Sequence, residues 1–383
     1  MNRIALQMLV GDRAKYLGII MGLTFASLLI TQQAGIFYGL MARTYGAIED
    51  LGLPDVWVMD PKVQFFDDVK PLQETQVNRI RGIEGVQWAV PLYKGLIKAR
   101  LDNGNFQTCI VMGLDDATLV GGPPIMIRGN LSDLWQADSV IVDEYGAADK
   151  LTRIKNGKLV ALNVGDTIEL NDHRAKVVGI CKNTRTFQSQ PVVYTTYSRA
   201  TTFAPQERKL LSFVLVKARP GVAPAELCAR IEKQTRLAAY TQQGFEKLTY
   251  DYFMKYTGIP INFGIAVGLG FLVGTAIAGQ TFYNFTLDNL RHFGTLKAMG
   301  ASNFQLLKMI LMQSLLVGAI GYGLGVGIAS AMGWFLRNTE LSFKLPGWLL
   351  LASATAVLLI CAASALISIL KVMRLEPAVV FKS

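Results

Sequence analysis

The sequence predicts an α-helical membrane protein with four transmembrane helices and a large α+β extracytoplasmic domain inserted between helices 1 and 2. Three observations carry that expectation. Only 17% of the 383 residues are charged and 51% are apolar, whereas ordinary soluble domains carry about 25% charged residues. The charges that do occur leave four long gaps: 27 uncharged residues between Lys15 and Arg43, 32 between Lys255 and Asp288, 28 between Lys308 and Arg337, and 26 between Lys344 and Lys371. Each gap exceeds the roughly 20 helical residues that a bilayer core of about 30 Å requires. Between the first and second gaps lies one long hydrophilic stretch with 27 basic and 24 acidic residues.

The elements then follow in order. Residues 1–15 form an amphipathic N-terminal segment and 16–41 the first span, expected to be a signal anchor because its apolar run is too long and lacks an A-x-A-like exit. Residues 42–257 form the outer domain, divided into a first subdomain of about 42–120 with 190–257, and an inserted β-rich subdomain of about 121–189. Spans at 259–282, 306–335 and 346–370 follow, with a connection at 283–305 and a tail at 371–383. Basic residues beside the spans, Arg3, Arg13 and Lys15, then Arg291, Lys297 and Lys308, then Lys371, Arg374 and Lys382, place both termini and the 283–305 connection in the cytoplasm. The isoelectric point near 9.4 therefore reflects topology and contact with anionic lipid, and nucleic-acid binding is excluded as its reading.

Within the outer domain, Asp55 to Asp60 reads as a strand, and Pro71 as the first position of a helix through Arg81 with Leu72, Val77 and Ile80 inward. Val86 to Val90 reads as a second strand. Asn103-Gly104, between two alternating runs, predicts a two-residue hairpin turn. Gly121, Gly122, Pro123 and Pro124 mark the boundary of the inserted unit. In it, Ser139 to Val142 is a strand leading to a helix near Glu144 to Leu151, and Val164 to Ile180 a hairpin turning at Asn171-Asp172. Ser212 to Lys217 is a strand and Pro224 to Thr235 a helix. Cys109, Cys181 and Cys228 lie in this domain and Cys361 in the fourth span. At most one outer disulfide is available to three cysteines, and burial as small apolar residues is the simpler expectation.

Leu290-Arg291-His292-Phe293-Gly294-Thr295-Leu296-Lys297-Ala298-Met299-Gly300-Ala301-Ser302 is similar to the "RxxEIGxLRAxGAS" segment of the MacB/FtsX/LolC group of ABC-transporter permeases, the type VII or mechanotransmission group. Arg374-Leu375-Glu376-Pro377-Ala378 resembles that group's terminal "R-L-D/E-P-A". Val164-Gly165-Asp166-Thr167 through Val177-Val178-Gly179-Ile180 looks like its periplasmic-domain strands. The four-span plan covers the whole chain, nearest the MacB and DevC branches. His292 departs from the group's usual Glu. The resemblance implies a bacterial inner-membrane permease, a separate ATPase subunit that binds ATP and Mg, a permease homodimer, and a periplasmic adaptor with an outer-membrane channel. It also implies that Leu290, Arg291, Phe293, Gly294, Leu296, Lys297, Met299 and Gly300 couple the chain to that ATPase.

The residues themselves support a rigid connection. Leu290, Phe293 and Leu296 share one arc of a short helix, Gly300 sits where a C′ glycine ends it, and Ser302 with Gln305 forms a capping box for the next helix. The alternative is an interfacial helix lying in lipid headgroups. The pairs Gly18 and Gly22, Gly35 and Gly39, Gly264 and Gly268, Gly270 and Gly274 extended by Ala278, and Gly321 and Gly325 have G-x-x-x-G spacing. That spacing permits close helix packing, within one subunit or across a dimer. Gln32, Gln33, Gln280 and Asn284 are expected to make interhelical hydrogen bonds. No span core contains a charged residue or histidine, which disfavours an ion-coupled pump. The sequence has no G-x-x-x-x-G-K-[ST] loop, no H-E-x-x-H, no G-x-S-x-G and no metal-spaced cysteine pair, so no catalytic site, metal site or cofactor is expected in this chain. The resulting reading is export of a hydrophobic or amphiphilic substrate driven by a partner's ATP hydrolysis. Lipoprotein or lipid extraction and FtsX-like signalling to a periplasmic enzyme are the alternatives. Tyr38 to Tyr45 and Tyr250 to Tyr256 are expected to act as stalks, with a hinge at Gly258 and Pro260.

Overall fold

The computed structural model describes residues 2–155, 157–205 and 211–373. The terminal Arg374 to Ala378 motif lies outside them. The chain divides into two compact units, residues 41–257 and the remainder.

The 41–257 unit is built on one ten-stranded sheet. In chain order its strands are β1 (Val56–Met59), β2 (Val86–Arg100), β3 (Phe106–Leu114), β4 (Ile125–Arg128), β5 (Ser139–Asp143), β8 (Thr167–Leu170), β9 (His173–Lys182), β10 (Val192–Thr196), β11 (Phe213–Ala218) and β12 (Ala238–Thr241). A separate ribbon pairs β6 (Arg153–Lys155) with β7 (Lys158–Val160). The spatial order is β12-β1-β11-β2-β3-β10-β5-β9-β4, with β8 bonded to both β2 and β9. Both faces of the sheet are covered, so strands read as unbroken apolar runs rather than alternating ones. In β1, Val56 and Val58 enter one core with Val77, Ile80, Leu227 and Ile231. Trp57 and Met59 enter the other with Ile48, Phe66, Phe213 and Phe245.

This continuous sheet runs through both expected subdomains. Strands of the 121–189 stretch pair directly with β10 and β2, for instance Tyr194 with Ile141 and Ala99 with Leu170. The organising strand is β2, whose first half pairs with β11 and whose second half pairs with β3. Pro91 and Gly95 lie inside it, which is why it reads as two pieces in sequence. The helix at Pro71 is also displaced: α3 runs Thr75–Arg81, and Leu72 instead forms a bridge to Leu211. The turn chemistry is exchanged between the two hairpins. Asn171 (φ 48°) and Asp172 (φ 62°) form the two-residue turn, whereas the β2–β3 turn has three residues, Asp102 to Gly104, with only Gly104 (φ +83°) left-handed. Helix α5 (Pro224–Thr235) starts on its proline as expected.

Two helical stretches of this unit are tied to its loops, the last turns of α2 (Arg13–Asp50) and α6 (Gln242–Tyr256). The Asp50 carboxylate accepts from Thr184 N at 2.7 Å and from Thr184 Oγ1 at 2.9 Å. A Cβ at Gly46 would run into the Thr184 side chain, so glycine is required there. On α6, Thr249 Oγ1 accepts from Phe66 N at 3.2 Å and Tyr252 stacks on Phe65 at 4.3 Å. Buried Lys94 holds the same loop by donating to Asp67 and to the Phe66 carbonyl.

The other unit contains α1 (Asn2–Gly11), the first part of α2, α7 (Ile259–Asp288), α8 (Leu290–Ala298), α9 (Asn303–Phe335) and α10 (Gly347–Met373). Helices α2, α7, α9 and α10 are long and apolar enough to cross a bilayer. Several extend beyond the uncharged gaps, most of all α2, which continues unbroken to Asp50. Lys15 of α2 pairs with Asp288 at the end of α7. By contrast α6 ends at Tyr256 and α7 begins at Ile259. Pro260 lies in the first turn of α7, where no helical hydrogen bond is lost, so the break comes from Thr257 and Gly258.

All four cysteines are free and buried. Cys109 and Cys181 face opposite cores of the sheet. Between them in the sheet order, Asp143 is buried, accepting from Val192 N at 2.8 Å and Gly146 N at 3.2 Å. Burial pushes its carboxyl up to about 6, against the opposing pull of those two amides and of Arg185. A raised acid binds its proton more tightly in the folded than in the unfolded chain, so stability falls as pH rises from about 4 to about 6. Chemical denaturation of the wild type and Asp143→Asn across that window should show the wild type losing ground to the variant as pH rises. A pH-independent difference would mean that Asp143 titrates normally.

Candidate functional site

The connection between α7 and α9 is closed by backbone hydrogen bonds at both ends. After α8, the N–H of Gly300 donates to the Lys297 carbonyl and that of Ala301 to the Leu296 carbonyl, both at 3.0 Å. Gly300 has φ +95°. These are the paired bonds of a Schellman motif, which only an unhindered left-handed residue can complete. Two residues later, Ser302 N donates to Gln305 Oε1 at 2.9 Å and Gln305 N to Ser302 Oγ at 3.3 Å. This is the reciprocal capping box, and it starts α9 with no slack residue between the two motifs.

The faces of α8 are divided sharply. Phe293 and Leu296 are buried with Ala5, Leu306, Ile310 and Ile369, and Leu290 packs on the same cluster. Gly294 is buried beside them. The apolar arc therefore fastens the helix to its own unit and is not available as a groove-filling face. Arg291, His292, Thr295 and Ala298 lie on the exposed side, with Lys297 half-buried. Met299 is 71% exposed and Phe304, just past the turn, 74%. Phe304 falls in the expected 283–305 connection, but its sequence position carries no signal that marks it as a surface residue; Leu306 in the same turn is buried.

The small residues divide in the same way. A Cβ on Gly22 would lie 2.6 Å from Ile277 Cγ2, and one on Gly274 would strike Ala26. Gly270 abuts Leu29, and Ala278 is fully buried. Gly321 and Gly325 receive α2 at Leu23 and Ser27, while Gly35 and Gly39 receive the stretch Ser342 to Leu345. Gly18 has only the edge of Thr281 near it at 3.9 Å. These glycines are occupied within one chain. Gly264 and Gly268 face open space. The interhelical hydrogen bonds come from residues other than the expected amides: Ser314 Oγ donates to the Cys361 carbonyl and Tyr322 OH to the Leu350 carbonyl, each at 2.8 Å, and Gln313 Nε2 to the Ala5 carbonyl at 2.6 Å. Gln280 and Asn284 are exposed and Gln32 and Gln33 half-buried. No group of His, Cys, Asp or Glu suited to a metal occurs among the described residues.

The MacB-like periplasmic core domain family matches residues 16–234, and the FtsX-like permease C-terminal family matches residues 260–377. The chain belongs to the MacB/FtsX type of ABC transporter permease, a multi-pass membrane protein with a sheet-rich MacB-like domain between its first and second membrane helices. An uncharacterized ABC transporter permease from Mycobacterium tuberculosis is 21% identical over 322 residues, covering 82% of this chain and 79% of the relative. One from Methanocaldococcus jannaschii is 24% identical over 200 residues, covering 48% of this chain and half of the relative's own length. Among solved structures, the periplasmic region of MacB from Actinobacillus actinomycetemcomitans covers 55% of this chain and 96% of its own, at 17% identity and a TM-score of 0.38. The extracellular domain of the noncanonic ABC-type transporter YknZ from Gram-positive bacteria covers 49% and 98%, at 15% identity and a TM-score of 0.34.

The division of α8 predicts two separable phenotypes. Leu296→Ala removes a buried side chain and should lower stability by about 2 kcal/mol or more, read as a lower melting temperature of the purified protein. Met299→Ala, at an exposed position, should leave melting unchanged. Equal melting of both variants would contradict the packing described.

Proposed function

We propose that this chain is the non-catalytic permease subunit of an ATP-driven transporter, in which a separate ATPase binds ATP and Mg and works on the α7–α9 connection. The observation that carries this reading is the capped α8 turn, a short rigid element displaying Arg291, His292, Thr295, Met299 and Phe304 on its exposed side. Of the residues assigned to coupling by resemblance, Phe293, Gly294 and Leu296 hold the lever in place. Arg291, Met299 and Gly300, with Lys297 at the margin, belong to the surface a partner meets.

In this reading both termini and the connection are cytoplasmic in a bacterial inner membrane, and the sheet domain is periplasmic. The basic residues flanking the spans support that orientation. Helix α2 supports the transmission of movement, because residues 13–50 are one helix and its final carboxylate is clasped by Thr184. The uncharged spans suit extrusion of a hydrophobic or amphiphilic substrate by periplasmic motion, with an adaptor and outer-membrane channel, better than an ion path. A permease homodimer completes the assembly, and the surface open to it includes Gly264 and Gly268 rather than the glycines packed inside the chain.

The test of the partner surface is a double substitution, Met299→Asp with Phe304→Asp, in the full-length chain. Anchors of this kind are each worth roughly 2 kcal/mol. The ATPase should fail to copurify, or its hydrolysis should become independent of the permease, while membrane insertion and melting persist. Copurification and coupled hydrolysis at wild-type levels would refute the assignment. Orientation is checked by cysteine substitution in a chain lacking native cysteines: Asn103→Cys should react with an impermeant thiol reagent from outside, and Asn303→Cys only after the inner membrane is opened.

A further inference from the structure

Residues 183–191 join β9 to β10, and within them the stretch 184–190 touches both α2 and α6. On α2 the contacts form one stripe. Arg43, Gly46 and Asp50 are three and four residues apart in sequence and so share a face of the helix. Arg43 Nη1 donates to Ser189 Oγ at 3.4 Å, Gly46 leaves room for the Thr184 side chain, and Asp50 accepts from both the amide and the hydroxyl of Thr184. On α6 the contact is aromatic. The Phe187 ring lies 5.0 Å from that of buried Phe253, tilted by 46°.

Between these two grips the backbone folds into a turn closed on itself. Thr186 Oγ1 accepts from Gln190 N at 3.0 Å and donates to the Gln190 carbonyl at 3.3 Å, and Ser189 N donates to the Thr186 carbonyl at 3.0 Å. Ser189 is left-handed, with φ 51°. A side chain with a Cβ is disfavoured there and persists only where its surroundings over-determine the conformation. The two helices supply those surroundings: Arg43 holds Ser189 itself, Asp50 holds the start of the loop at Thr184, and Phe253 holds the tip at Phe187. Both grips oppose the same relaxation of the turn. Losing one therefore lowers the cost of losing the other, which is an energetic coupling between the helices.

We propose that the 184–190 loop is a conformational relay between the last turns of α2 and the last turns of α6, with the strained turn at Ser189 as the element that both helices hold closed. The relay lies within this chain and does not rest on the proposed ATPase, cargo or orientation. Helices α2 and α6 also contribute Ile48 and Phe245 to one core, a second route that does not include Ser189. The experiment is hydrogen–deuterium exchange of the full-length permease in mild detergent, read by mass spectrometry. Thr184→Val keeps the side-chain shape but removes the hydroxyl bond to Asp50, and should speed exchange in residues 250–256 of α6 about fivefold or more, the lower end of allosteric couplings. Phe187→Ala removes the ring against Phe253 and should speed exchange in residues 44–50 of α2 by a similar factor, because coupling is reciprocal. Ser189→Asn keeps an acceptor for Arg43 and relieves the turn, since asparagine tolerates the left-handed region. In that background Thr184→Val should leave α6 exchanging at the wild-type rate. Exchange in β2 and β3 is the folding control, and Phe187→Leu replaces Phe187→Ala if that variant loosens them. Acceleration confined to the substituted side overturns the proposal. So does acceleration of α6 that persists in the Ser189→Asn background, since the shared core would then carry the coupling.

Discussion

The structure depends on how closely α7 and α9 approach α2. Lipid tails are as apolar as leucine, so helices in a bilayer gain little from burying apolar surface and associate instead through packing. Gly274 lets α7 meet α2 at Ala26, and Gly321 and Gly325 let α9 meet it at Leu23 and Ser27. A methyl group at Gly325 would come within 2.6 Å of Ser27 Cβ and 2.8 Å of Leu28 N, so backbone would have to move. Because these contacts fix α2 without a charge or an amide ladder, its spanning part carries no buried ionisable group. The polar contribution is small and local, such as Ser27 donating to the Tyr322 carbonyl at 3.3 Å.

A second constraint is closure of the backbone at the α8 turn. A helix end leaves carbonyls unsatisfied and a helix start leaves N–H groups unsatisfied, and here both occur within five residues. The Schellman bonds at Gly300 and Ala301 and the capping box at Ser302 and Gln305 satisfy them without water or a long loop. The direction of α8 is thereby set by the chain itself, and Phe293 and Leu296 lock it to α9 and α10. The exposed residues on its other side, Arg291, His292 and Thr295, inherit that rigidity.

The features legible in sequence were those with a local cause. Charge gaps located the spans because burying charge in hydrocarbon is costly wherever the helix sits, and Pro224, Gly300 and the Ser302 to Gln305 pair fixed helix ends through bonds only a few residues long. What was hidden depended on distant partners. Val86 to Val90 read as a strand separate from the run before Asn103, yet β2 continues through Pro91 and Gly95 because β11 and β3 take over from each other as its neighbours. The 121–189 stretch read as an insertion because its pairing to β2 and β10 spans many residues of sequence. The spacing of Leu290, Phe293 and Leu296 correctly identified one face of α8, but periodicity does not state whether that face meets the same chain or another. The same ambiguity attended the glycine pairs, and Gly264 differs from Gly274 only in what tertiary packing brings to it.

The two covalent routes between the units differ in a way that bears on the proposed transmission of movement. Along α2 the helix passes from Leu40 to Met41 without interruption and ends in the Asp50 to Thr184 clasp. Along the other route, Thr257 and Gly258 separate α6 from α7, and Thr257 is extended at φ −117° and ψ 154°. A continuous hydrogen-bonded helix resists bending and transmits displacement along its axis, whereas two residues without helical bonds allow the chain direction to change. The fastening of α6 through Thr249 and Tyr252 keeps the joint at Thr257 and Gly258 and out of the domain itself.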